Sequence, residues 1–281
     1  MRAFPLAALT SLAPAALAEE PGQRFRLGLA TGQNPQARDE IEPYRRWLEG
    51  AIDRPVDLFL FPDLAHTAEA LRRGRIDQAR LSVAAHAALQ AACDCVVPLV
   101  LARPGDGTIG IQSVLLVRPE QVDAGLEGLA GARVGVGPPG ALATRAVPLR
   151  LLRVAGRTME EHFAEIVTVS SLSTGEEDVL SGRLDAVTAW RAVAQGGAAV
   201  KDPARFAGLA VIWASPTLPV VSHVVRADLA PELRQRLAAA LIDLPERDPE
   251  AARALEPDFT GGFAPAVPSD FQPLVEMAGQ P

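Results

Sequence analysis

Short apolar runs of strand length alternate with segments of helical period along nearly the whole chain, and they do so in two successive sets. The first set reads as strands at Phe25–Leu29, Val56–Phe61, Ile76–Leu81 and Val96–Ala102. Helical spacing falls between them at Asp39–Ile52, Ala65–Arg73 and Val83–Ala92. Each period follows from side-chain direction, alternating in a strand and recurring every three to four residues in a helix. The second set starts near Ser113 with a long apolar strand after Gly110 and continues through Ala132–Val136, Glu165–Val169 and Leu184–Thr188. Its helices are expected at Ala141–Val154 and Thr174–Ser181. Strands at Ala210–Trp213 and Pro219–Val225 follow, then a helix at Pro231–Ile242 and a Gly/Pro-rich tail from Asp258. Such alternation predicts an α/β fold, with mainly parallel sheets covered by helices on both faces. Two sets in series predict two α/β lobes joined by two crossing strands.

The opening twenty residues, MRAFPLAALTSLAPAALAEE, fit neither set. Arg2 precedes an Ala/Leu-rich run that ends in the small-x-small site Ala16-Leu17-Ala18. That is the pattern of a cleaved export signal, residues 1–18, with cleavage near Ala18. Elsewhere no apolar stretch is long enough to span a bilayer, so a periplasmic location is expected. A net charge of −7 without a basic block argues against nucleic acid as a partner. Only Cys93 and Cys95 are available as thiols. Their Cys-Asp-Cys spacing fits a structural pair, and also fits two ligands of a soft metal or metalloid.

Several residues sit where α/β folds bind ligands, at the carboxyl ends of strands. Thr31 and Gln33 leave the first strand, as a polar turn or as ligand contacts. Arg80, Ser82 and His86 follow the Asp77 strand; Ser82 is equally suited to cap the next helix, and His86 to lie on the surface. Ser170 and Ser171 precede a helix for which Ser173 or Thr174 already offers a capping box, which leaves the two serines free to face a cleft. Trp190 follows the Asp185 strand and suits either stacking on a flat ligand or plain packing. Asp77 and Asp185 occupy matching strand positions and read as structural. No nucleotide loop, metal-binding signature, nucleophile elbow or acid/base pair stands out, so no catalytic residue, metal or cofactor is expected.

The motifs GLATGQNP, PVDLFLFPD, GRIDQARLSVAAH, GIQSVLLVRPE, VGVGPPGALATRAVP, GRLDAVTAW, VIWASPTLPVVSHVVRADL and GGFAPAVPSDFQPL follow one another in this order. In that order the chain resembles the phosphate/phosphonate-type periplasmic substrate-binding proteins of ABC importers. The resemblance implies the type II periplasmic-binding fold, with lobe 1 over 24–111 and 224–281 and lobe 2 over 112–223. It implies a small molecule held between the lobes by hinge closure, a membrane permease as partner, and a monomer. A sensor subunit for a membrane histidine kinase is the alternative. The family's Ser-Thr-Ser anion loop falls on Ala141-Leu142-Ala143, so its three hydroxyls are gone and Thr144 is the first one available; Leu142, Ala143 and Thr144 are the ligand contacts expected here. Its aromatics fall on Arg80-Leu81 and Ile111-Gln112, and its His or acidic positions on Ser171-Leu172-Ser173. These losses predict a ligand less anionic than a phosphonate.

Overall fold

The computed structural model describes residues 24–194, 206 and 208–279. The expected export signal therefore lies outside the described residues. The first lobe opens with β1 (Phe25–Ala30), α1 (Ala37–Ile52), β2 (Val56–Phe61), α2 (Leu64–Arg72), β3 (Gln78–Ser82), α3 (Val83–Ala92) and β4 (Val96–Ala102). The second lobe contains β5 (Thr108–Val117), β6 (Arg133–Val136), α4 (Val147–Leu151), α5 (Met159–His162), β7 (Glu165–Thr168), α6 (Leu172–Leu180), β8 (Ala186–Ala194) and β9 (Ala210–Ala214). The chain then returns to the first lobe with β10 (Val221–Arg226), α7 (Pro231–Arg247), α8 (Pro249–Leu255), β11 (Phe263–Pro265) and α9 (Gln272–Ala278).

The two sheets have corresponding orders. The first runs β2-β1-β3-β10-β4-β11, and the second β7-β6-β8-β5-β9. In each, three strands are parallel and a fourth, β10 or β5, enters antiparallel between two neighbours. Mixed sheets thus replace the mainly parallel ones expected from the alternation, because β10 and β5 each follow a passage from the other lobe. Residues 108–111 already belong to β5 of the second sheet, and residues 221–223 to β10 of the first. The passages therefore occupy 103–107 and 215–220, several residues from the boundaries anticipated above. The second passage packs on the start of β5: Ile111 and Leu218 exchange both backbone hydrogen bonds at 2.8 Å. A Cβ on Gly110 would lie 2.4 Å from the Leu218 carbonyl, so only glycine admits this approach.

Asp77 and Asp185 do the same job in the two lobes. Each follows a left-handed glycine, Gly74 or Gly182, that ends the preceding helix. The Asp77 carboxylate accepts from the Arg26 backbone N–H at 2.8 Å, and that of Asp185 from the Arg133 N–H at 2.8 Å. Each side chain thereby pins the start of the neighbouring parallel strand. Asp77 also binds the guanidinium groups of Arg26 and Arg226. Helices cover both faces of each sheet, producing two apolar clusters per lobe. Tyr44, the one tyrosine, is fully buried in the first of these and accepts from Gln78 Nε2 at 3.2 Å. A fifth cluster joins the lobes: Val83, Ala87, Phe271 and Leu274 of the first meet Val147 and Leu142 of the second.

Candidate functional site

The loop after β6 carries Leu142, Ala143 and Thr144, three of the residues expected to contact a ligand. A continuous helix over Ala141–Val154 is not formed. Instead Leu142–Ala146 make a π-helical turn, and α4 is five residues long. Pro148 is the reason. It has no N–H to donate to the Thr144 carbonyl one turn back. That carbonyl instead accepts from the Gly137 N–H at 2.9 Å and the Thr188 hydroxyl at 2.5 Å. The Thr144 hydroxyl lies against Gly137, where a Cβ would approach it to 2.0 Å. Leu142 packs into the cluster that joins the lobes. Ala141 and Ala143 contribute only methyl groups. Arg145, the nearest cation, donates to the Gly137 carbonyl and to Thr168 Oγ1, both at 3.1 Å. The segment thus offers no hydroxyl at 141–143, and its guanidinium is bonded to the Gly137 carbonyl and to Thr168.

Several of the other expected residues serve the scaffold. Ser82 caps α3, accepting from the Ala85 N–H at 3.2 Å. His86 is not a surface residue: it is fully buried, 4.1 Å from the Phe271 ring centroid, with Nδ1 bonded to Ser222 Oγ at 3.2 Å. Burial pushes its pKa down to about 4. Ser171 is not free, because α6 starts two residues earlier than the boxes on Ser173 and Thr174 suggested. Ser171 is its N-cap, accepting from the Thr174 N–H at 3.1 Å. Ser170 is exposed. Trp190 lies inside the nine-residue β8 rather than beyond a short strand, opposite Ser113. Gln112 accepts from Arg191 Nε at 3.0 Å. Gln33 is exposed in the turn after β1.

Thr31 and Arg80 come together at a cavity of about 220 Å³, beside Asn34, Glu40 and Asp258. Arg80 already has an anion. Its Nε and Nη2 donate to the two oxygens of Glu256 at 2.6 and 3.0 Å, and the Phe259 ring covers the guanidinium at 5.8 Å. Glu256 is buried and is also bonded to His223 Nε2 at 2.8 Å. Burial pushes the Glu256 carboxyl up, but the hydrogen bond and charge of His223, then those of Arg80, outweigh it and hold the carboxyl below its ordinary value. Neither partner is evident from the sequence, since Glu256 stands before a Gly/Pro-rich tail. The only available signal is that Arg80 and His223 alternate into the same face of adjacent strands. Cys93 and Cys95 form a disulfide between the end of α3 and the start of β4, with Cα atoms 5.2 Å apart. Among the described residues no group of three or more His, Cys, Asp or Glu could hold a metal ion.

Comparison with known proteins yields one family. Its profile, described as "ABC transporter, phosphonate, periplasmic substrate-binding protein", matches residues 27–271. A Xanthomonas citri protein solved with ATP superposes with a TM-score of 0.57 at 20% identity, over 91% of this chain and 95% of the other. The same protein with chloride gives a TM-score of 0.55 at 20% identity, over 91% and 96%. Transferrin 1 from Manduca sexta gives 0.61 at 12% identity, over 90% of this chain and 45% of its own length.

Proposed function

Since the chain belongs to the family of periplasmic substrate-binding proteins of phosphonate ABC transporters, we propose that it captures a small solute between its lobes and delivers it to a membrane permease, and that this solute is not a phosphonate dianion. The passages 103–107 and 215–220 serve as the hinge, with lobe 1 over 24–102 and 221–279 and lobe 2 over 108–214. Closure about such connections makes capture and presentation to a permease one event.

One observation carries the reading of the ligand: the loop after β6 presents Ala141, Leu142 and Ala143 where an oxyanion would need hydroxyls, and Arg145 already donates to the Gly137 carbonyl and to Thr168. Leu142 fills that position and joins the lobes through apolar contact. A buried oxyanion with unmet hydrogen bonds costs several kcal/mol, so a dianion would be rejected there. On the first lobe Arg80 is neutralised by Glu256, which again favours a neutral or zwitterionic solute. A thermal-shift screen distinguishes these ligands. Methylphosphonate, phosphate and small sulfonates at millimolar concentration should leave the midpoint unchanged. A neutral or zwitterionic ligand at about 100 times its Kd should stabilise by about 2.7 kcal/mol. Submillimolar binding of methylphosphonate would overturn the reading. The triple substitution Ala141→Ser, Leu142→Thr, Ala143→Ser should introduce measurable phosphonate binding where wild type has none.

A further inference from the structure

A second cavity adjoins the Arg80–Glu256 pair. It measures about 170 Å³ and shares no lining residue with the cavity that holds Thr31 and Arg80. Glu256 lines this cavity while Arg80 lines the other, so the ion pair belongs to the partition between them. The other walls are largely apolar: Pro245 of α7, Pro249 and Ala252 of α8, and the rings of Phe259 and Phe263. Both rings are held in place. Phe259 lies over the Arg80 guanidinium, and Phe263 meets the buried His223 ring edge-on with centroids 5.5 Å apart. A cavity of about 150 Å³ accommodates one benzene ring, so this one has room for a single ring bearing a small substituent.

Charge selects among such rings. The buried Glu256 carboxylate would repel an anion, and a cation would have to compete for it with Arg80 and His223, with Arg253 also lining the cavity. A neutral ligand meets neither penalty. A carboxylate offers about four acceptor positions. Oε1 of Glu256 accepts from Arg80 Nε and His223 Nε2, whereas Oε2 accepts from Arg80 Nη2 alone and can take one more donor. The cavity is also joined to the passage at 103–107. The Arg103 N–H donates to the Gly262 carbonyl at 2.9 Å, and the Arg103 carbonyl accepts from the Gly261 N–H at 2.8 Å. A Cβ on Gly261 would collide with the Pro104 carbonyl, and one on Gly105 with Thr260 Oγ1. We propose that this cavity binds a neutral single-ring aromatic alcohol, its ring against Phe259 and Phe263 and its hydroxyl donating to Glu256 Oε2, and that binding steadies the passage at 103–107. The effect on closure rests on that passage being half of the hinge; the binding itself does not.

The test uses the full mature chain with 4-fluorophenol followed by fluorine NMR. Its signal should saturate at millimolar concentration or below, and unlabelled phenol should displace it. Toluene, which lacks the hydroxyl, should displace it at least about fivefold less well. Benzoate, which brings a second carboxylate to Glu256, should do so at least about tenfold less well. Ala252→Leu fills the cavity and should abolish binding while the unfolding midpoint is kept. Ala252→Cys changes the wall less and supplies a thiol beside the disulfide-bonded Cys93 and Cys95. Phenol at about ten times its Kd should slow alkylation of that thiol by iodoacetamide about tenfold, since only the free protein reacts. Bound phenol should also slow amide hydrogen exchange at 103–105 and 259–263. The proposal fails if 4-fluorophenol does not saturate, if toluene or benzoate displaces it as well as phenol does, or if alkylation of Ala252→Cys is not slowed. Binding with unchanged exchange at 103–105 would overturn the link to the passage. None of these readouts depends on which solute the interlobe cleft takes, so they stand or fall apart from that reading.

Discussion

His86 provides a sharp test of the packing beneath the cleft. Its ring is fully buried between α3, Ser222 of β10 and Phe271, and Nε2 has no hydrogen-bond partner. Desolvation lowers its pKa from 6.5 to about 4, and no charged neighbour contributes to the shift. The folded state therefore binds fewer protons than the unfolded state between those two values. Stability from the neutral ring is fully present above pH 6.5 and is lost as pH falls toward 4. Integrating the linkage from pH 7 to pH 5 gives a loss of about 2 kcal/mol from this one residue. At roughly 2–4 °C per kcal/mol for a chain of this size, the melting midpoint should fall by about 4–8 °C over that interval on account of His86. His86→Gln keeps a hydrogen-bonding group beside Ser222 and removes the titration. Urea unfolding of both proteins at pH 7, 6 and 5 should give curves that converge as pH falls, with the wild type losing about 2 kcal/mol more than the variant. Parallel losses would refute the reasoning, as would an NMR titration placing the His86 midpoint near 6.5 in the folded protein.

Three further perturbations test other parts of the structure. Glu256→Gln deprives Arg80 of its anion, and because Arg80 retains partial solvent contact the cost should be about 2–3 kcal/mol in urea unfolding at pH 7. The native carboxyl is held below its ordinary value, so its contribution is present above that value and disappears as pH falls through the native one; the gap between wild type and Glu256→Gln should therefore narrow as pH falls below the ordinary value of 4.5. Gly137→Ala drives a methyl group into Thr144 and should cost about 1–3 kcal/mol, with partial recovery in the double variant carrying Thr144→Ala. Replacing Cys93 and Cys95 together by alanine opens a very short loop, so the loss should be no more than about 2 kcal/mol and solute binding should be unchanged by calorimetry.

The sequence revealed the fold best where each local signal had a single reading. Val56–Phe61, Val83–Ala92 and Val96–Ala102 are observed at the bounds that periodicity gives, since each is closed by unambiguous caps or breaks. Asp77 and Asp185 were readable as a matched pair because a Gly-Arg-Ile/Leu-Asp run precedes a strand in both halves, and both carboxylates proved to be strand clamps. Elements near the C-terminus were harder. The Gly/Pro-rich tail conceals β11 and α9, whose formation depends on what they pack against: β4 for the strand, α3 and α4 for the helix. Short segments of this kind lack enough internal periodicity to announce themselves.

The candidate site was legible as an absence before it was legible as a structure. Loss of the Ser-Thr-Ser hydroxyls at 141–143 could be seen once the chain's resemblance supplied the family pattern, but not where the remaining polar groups would turn. That depended on contacts distant in sequence: Pro148 freeing the Thr144 carbonyl for Gly137 and Thr188, and Arg145 reaching back to Gly137 and Thr168. The same holds for Arg80, whose partner lies 176 positions away. These partners alter the argument about ligand charge. A missing hydroxyl alone would leave open whether a neighbouring cation compensates for it. With Arg145 bonded to Gly137 and Thr168 and Arg80 bound to Glu256, the cation of this loop and the cation expected on the first lobe already have acceptors, and a dianion would have to displace one of them. Displacing Glu256 would strand a buried carboxylate beside His223, and displacing Arg145 would strip the Gly137 carbonyl of a donor. A neutral or zwitterionic solute demands neither exchange.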